Sequence, residues 1–304
     1  MKSLSNFKPY EVMYVDAMNL SARSYYGMSD LEYHGRKTGM LYGIARLFIA
    51  WMKKAPGIEI VMLWEGKDSW RKAKYPIYKA NRGESRTPEE SRIFWNCVER
   101  VKTALPIMGV RQAWSPTYEA DDVVANFVAA EIESAGAGAE TPRRMLLSSG
   151  DWDWWELADY SDILYQHKDV LTREDMCARF EKKFKAPMVP FDRLWLFKVL
   201  TGSHDNVSGI PLFPKKLASK LCNLKDIDEG SIIHALVRLG EKKWAERVAQ
   251  HNWIMNRNVE LLRGSEIPLE DIEWIDGEYS KTGFGDILLK NGMETLYDRF
   301  MEVR

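Results

Sequence analysis

With 304 residues the chain has material for one large domain or two ordinary ones, and for a sizeable core in either case. A formal net charge of −1 predicts neither a nucleic-acid partner nor its absence, so only local clustering speaks to that question. The far-apart Cys97, Cys177 and Cys222 exclude a disulfide scaffold and a zinc site, and without a signal-peptide core or a bilayer-length apolar run a soluble cytoplasmic protein with no membrane partner is expected.

In chain order, "EVMYVD" (11–16) is short, apolar and bounded by polar residues, which predicts a buried strand. "GMLYGIARLFIAWMKK" (39–54) has helical spacing, and "IEIVMLW" (58–64) reads as a second strand. A basic stretch comes next, "KDSWRKAKYPIYKANRGESR" (67–86), and then a helix over "SRIFWNCVERVKTAL" (91–105). "ADDVVANFVAAEIESAG" (120–136) is helical and runs into a surface loop over 133–142; "RRMLLSS" (143–149) and "DILYQH" (162–167) are further strands. Strands alternating with helices imply a mostly parallel α/β sheet. Beyond about residue 186 the strand signals fade, and 190–202, 214–222, 230–240 and 241–262 read as helices, which suggests an α-rich second region.

Open α/β sheets place their sites at the carboxyl ends of the strands. Asp16 ends the first strand, Glu65 the second, Asp151 and Asp153 come after the third in "SSGDWDWW", and "YEADDVV" sets Glu119, Asp121 and Asp122 at a helix start. One acidic residue there caps a helix or favours its dipole. So many at one edge repel one another unless a cation lies among them, and several oxygen donors suit a hard divalent ion of the magnesium type. The basic stretch begins beside that edge. Its Lys67, Arg71, Lys72, Lys74, Lys79, Arg82 and Arg86, interleaved with Trp70, Tyr75 and Tyr78, fit a single-strand nucleic-acid path; a solvated charged face is the alternative.

These blocks, with "LTGSHDNVSGIPLFPKKLASKL" (200–221) and "WIMNRNVELL" (253–262), resemble the 5′ nuclease or flap endonuclease family, which includes the bacteriophage 5′–3′ exonucleases and the 5′ nuclease domain of bacterial DNA polymerase I. The resemblance implies a PIN-like nuclease core of mostly parallel sheet, flanking helices and a helical arch over 10–186, then a helical DNA-binding region with a helix-hairpin-helix element over 187–304. It implies two Mg2+ or Mn2+ ions, the first among Asp16, Glu65, Glu119, Asp121 and Asp122, the second among Asp151, Asp153 and Asp205. Lys79 and Arg82 would act on the scissile phosphate, Tyr78 would stack on a nucleotide unless it is a core residue, and Arg71 would anchor the arch or touch phosphate. Lys215 and Lys216 would hold duplex phosphates, unless they are simply exposed helix lysines.

The implied activity is 5′–3′ exonuclease or flap endonuclease cleavage leaving 5′ phosphates, in primer and flap removal. The implied substrates are DNA with 5′ ends, flaps or nicks and also RNA–DNA hybrids, handled by a monomer. Three departures stand out. Glu65 occupies a usual aspartate position, Gly202 replaces a second-site aspartate, which weakens that ion's site, and Leu212, Phe213 and Pro214 replace glycines where the family's hairpin would hold a potassium ion. A PIN-type ribonuclease shares the acidic core but not the long helical region; a junction-binding protein without activity is the non-catalytic alternative.

Overall fold

The computed structural model describes residues 10–80, 86–136, 143–203 and 206–303. Its centre is a seven-stranded sheet built from β1 (Val12–Asp16), β2 (Glu59–Leu63), β3 (Arg111–Trp114), β4 (Met145–Ser149), β5 (Asp162–Tyr165), β6 (Asp169–Val170) and β7 (Glu273–Ile275). The spatial order is β7-β3-β2-β1-β4-β5-β6; β1 to β5 run parallel, and only the edge strands β6 and β7 are antiparallel to their neighbours.

Both faces of this sheet are covered, which is why its strands read as unbroken apolar runs. Val12 and Tyr14 of β1 enter one apolar cluster while Met13 and Val15 enter the other, and β2 divides likewise into Val61 and Leu63 against Ile60 and Met62. The strand expected over 162–167 ends early, at Tyr165. Gln166 and His167 take left-handed φ values of 52° and 61°, and turn the chain into β6.

On one face lie α1 (Ala17–Gly27), α2 (Gly39–Lys54) and, beyond the short α3 (Trp70–Lys74), α4 (Pro88–Ala104). The last of these starts before residue 91 because Thr87 and Glu90 form a capping box: the Thr87 hydroxyl accepts from the Glu90 N–H, and the Glu90 carboxylate accepts from the Thr87 N–H at 2.8 Å. The other face carries α5 (Ala120–Gly136), α6 (Arg173–Phe184), α7 (Leu194–Thr201), α8 (Lys215–Cys222), α9 (Ile232–Arg238), α10 (Lys242–Gln250) and α11 (Asn252–Leu262). Helix α5 takes up the first part of the expected 133–142 loop; residues 137–142 lie outside the described part.

The helices after residue 186 pack directly on the sheet. Leu196, Phe197 and Leu221 share one buried cluster with Val123 and Leu147, so the helical region extends the core of the sheet rather than forming its own. The chain also returns to the first region at its far end. Strand β7 pairs with β3, and α12 (Lys281–Lys290) and α13 (Glu294–Met301) send Phe284, Leu288 and Phe300 into the cluster around Phe48. Among the described residues no helix is long and apolar enough to cross a membrane.

Candidate metal centre

The parallel strands deliver their carboxyl ends to one edge, and β1 delivers Asp16 there. Its Oδ1 caps α1 by accepting from the Asn19 N–H at 2.9 Å, and its Oδ2 accepts from the Ser149 hydroxyl at 2.8 Å. Beyond β4 the turn winds tightly: the Asp151 N–H donates to Ser149 Oγ at 2.9 Å and the Asp153 N–H to Asp151 Oδ1 at 3.2 Å. The Trp154 indole N–H fixes Asp121 by donating to its Oδ1 at 2.7 Å. Glu65 lies just past β2 with its side chain exposed.

Electrostatics ties these residues into one site. Burial pushes Asp16 up to about 7, against its two hydrogen bonds and with the negative charges of Glu65 and Asp151 adding to the rise. Asp121 is raised well above the usual carboxylate range, first by burial and then by Asp153, Asp151 and Asp16, with Lys79 opposing. Crowded, hydrogen-bonded oxygens with unfavourable ionisation are a donor set that a hard divalent cation would relieve. Among the described residues, however, no three acidic or imidazole side chains close into a ready cation cage.

Several carboxylates point elsewhere. Asp122 is 1 % exposed and accepts both outer nitrogens of Arg71, Nη2 at 2.8 Å, together with the Ser265 N–H at 3.0 Å. The Glu119 carboxylate accepts from Lys79 at 2.8 Å, from the Tyr78 hydroxyl at 2.9 Å and from the Ser69 hydroxyl at 3.3 Å. Burial alone would raise Glu119, but Lys79 and Arg71 hold it below its ordinary value. Asp122 and Glu119 are thus paired with internal cations while lining the same cavity as Asp121 and Asp153.

The nucleic-acid path is corrected in the same way. Arg71 and Tyr78 are each 4 % exposed, which favours the anchoring alternative for Arg71 and the core alternative for Tyr78. Arg71 Nε also donates to the Leu261 carbonyl at 2.8 Å, while Lys74 and Tyr75 engage Glu260, the tyrosine hydroxyl at 2.6 Å. The stretch is docked on α11 by these contacts. Lys79 is turned inward as well, with a left-handed φ of 54°. Lys215 and Lys216 are exposed on the first turn of α8, and before them Leu212 takes a left-handed φ of 58° at a position where the resembling family carries glycine. Arg82 and Asp205 lie outside the described residues.

Three supports were not anticipated. The Asn19 Oδ1 accepts from the Gly150 N–H at 3.1 Å and lies 3.2 Å from His167 Nε2, whose other ring nitrogen is 2.8 Å from Ser148 Oγ. Lys198, on α7, pairs with Asp153 at 3.1 Å and Glu156 at 2.5 Å. No spacing in the sequence signals them, because each meets its partners only across the fold.

Residues 11–184 match the family model described as the 5′–3′ exonuclease N-terminal resolvase-like domain. The chain is 30% identical to DNA polymerase I of Mycobacterium bovis over 69% of its length and 22% of the relative's, and 26% identical to the thermostable DNA polymerase I of Thermus filiformis over 94% of its length and 34% of the relative's. It therefore spans about a third or less of these relatives. Among solved structures it is similar to the bacteriophage T5 D15 protein co-crystallised with metal ions, with a TM-score of 0.57 and 19% identity over 96% of this chain and 98% of that one. Flap endonuclease-1 from Methanococcus jannaschii gives a TM-score of 0.54 and 13% identity over 100% of this chain and 95% of that one.

Proposed function

The chain belongs to the 5′–3′ exonuclease family, and on that premise we propose that it is a divalent-metal-dependent 5′ nuclease that cleaves DNA at 5′ ends, flaps or nicks, RNA–DNA hybrids included. The observation that carries this reading is the gathering of carboxylates at the carboxyl edge of the parallel sheet, close enough together that their negative charges help raise Asp16 and Asp121. Asp16, Glu65, Asp121, Asp151 and Asp153 would hold Mg2+ or Mn2+. When bound, such ions neutralise the phosphodiester and activate water for attack on phosphorus.

The chain's own residues prepare that chemistry. Ser149 and Asn19 fix the Asp16 carboxylate, and the Trp154 indole fixes Asp121. Asp122 and Glu119 act as positioning residues, holding Arg71 and Lys79 beneath the edge. Lys79 and Arg82 would meet the phosphate being cleaved, Lys79 by exchanging Glu119 for it. Lys215 and Lys216 would grip the duplex within a helical DNA-binding region, and the working form would be a cytoplasmic monomer serving primer and flap removal. A potassium ion at residues 212–214 would accompany that grip.

The test is cleavage of 5′-labelled flap, nicked and blunt duplexes with Mg2+. Asp121→Asn and Asp153→Asn should each remove most cleavage while junction binding persists, since neither deletes a cation. Near-wild-type turnover in both would sink the assignment.

A further inference from the structure

The acidic edge already contains an ammonium group. Lys198 rises from α7 with its Nζ 3.1 Å from Asp153 Oδ1 and 2.5 Å from Glu156 Oε1, and its side chain is 15% exposed. Lys198, Glu156, Asp153 and Asp121 line one cavity together with Glu119 and Asp122, so the ammonium faces the same space as two carboxylates of the proposed centre.

The backbone just beyond Lys198 adds a steric constraint. The helix ends at Gly202, where φ is +86°, and a Cβ built there would lie 2.7 Å from the Gly209 nitrogen and 2.8 Å from the Val207 carbonyl oxygen. Gly209 is equally confined, since its own Cβ would lie 2.4 Å from the Gly202 nitrogen. The two backbones cross here as a short antiparallel ladder, Val207 opposite Ser203 and Ser208 opposite Gly202. No side chain fits at Gly202 without moving main chain. The position therefore offers no carboxylate.

We propose that Lys198 is a positioning cation that competes with a second divalent ion for Asp153, so that the centre holds one divalent ion tightly and a second weakly. This rests on the reading of the acidic edge as the metal centre. Lys198 spans Glu156 and Asp153, and Asp153 belongs to the group whose charges act on Asp121. A divalent ion entering beside it would meet an ammonium group in surroundings that screen charge poorly. The ammonium brings three donors and fixed charge without needing a ligand cage.

The test is Mn2+ binding to the metal-free full chain, measured by calorimetry and electron paramagnetic resonance. Wild type should take up one tight Mn2+, with any second at least roughly tenfold weaker. The charge-balanced double variant Lys198→Met with Glu156→Gln removes the ammonium from Asp153 together with one negative charge. In it the second Mn2+ should bind roughly tenfold more tightly than in wild type. Two equal Mn2+ sites in wild type would overturn the proposal, as would a folded double variant with an unchanged second site. Asp121→Asn should lose the tight first ion; wild-type binding by that variant would instead overturn the centre itself and with it the role of Lys198.

Discussion

His167 carries the clearest pH signature of any single side chain here. It is fully buried between Ser148 and Asn19, and burial, aided by the positive charge of Arg23, pushes its pKa down to about 3. The unfolded chain takes up that proton near the ordinary value of about 6.5, whereas the folded chain refuses it. Between those values the unfolded state binds more protons, so this residue makes stability fall as pH falls, by up to about 1.4 kcal/mol per unit. Asp16 and Glu156, raised to about 7, work oppositely in the same window: their contribution is present at low pH and is lost as pH rises through 7. His167→Asn tolerates the left-handed backbone and removes only the first effect. Chemical denaturation of both proteins from pH 6.5 to 5 should show wild type losing stability relative to the variant; parallel curves would refute it. The acidic residues at strand ends were legible because their position and their chemistry coincide. Arg71 and Tyr78 were not, since a basic-aromatic run carries no mark of which members turn inward, and that choice is made by Asp122, Glu119 and α11.

At the scale of elements, what escaped the sequence was long-range. Strand β7 has three residues, all exposed, and shows no alternation by which to recognise it; it forms because β3 would otherwise present an open edge. The helices after it are held by Phe284, fully buried, whose ring centroid lies 5.8 Å from that of Phe48 and 4.6 Å from that of Phe300. Phe284→Ala should therefore cost about 3–5 kcal/mol. Because the contact joins the far end of the chain to α2, the loss should appear in one cooperative transition shared with the sheet. Urea unfolding monitored by both tryptophan fluorescence and far-ultraviolet dichroism measures this. A separate early transition, or a cost below about 1 kcal/mol, would show that residues 273–303 are an appendage. Strands β1, β2, β4 and β5, by contrast, were legible to within a residue or two, since burial on both faces leaves an apolar run that no helix of that length would need. Strand β3 was not, because its four residues open on Arg111 and Gln112 and carry no apolar run.

For the molecule as a whole, a net charge of −1 conceals a division of labour. Carboxylates gather at the sheet edge, some cations are buried to hold them, and others remain exposed on α8. Lys79 and Lys216 stand for the two kinds of cation. Lys79 is 4 % exposed and paired with Glu119, close enough to the edge for Glu65 and Asp121 to raise its pKa. Lys216 is exposed on the first turn of α8. If Lys79 shifts from Glu119 to the phosphate under attack, it acts where negative charge develops, and removing such a donor costs on the order of 3 kcal/mol, roughly a hundredfold in rate. Lys216 would position the duplex without entering the chemistry. Lys79→Ala should thus depress single-turnover cleavage at saturating DNA, whereas Lys216→Ala should leave that rate intact, weaken binding and reduce the logarithmic salt slope by about 0.9. Single-turnover rates paired with binding isotherms at several salt concentrations separate the two. Full rescue of Lys79→Ala by saturating DNA would make that lysine a tether for Glu119 alone, and an unchanged salt slope in Lys216→Ala would remove α8 from the DNA path.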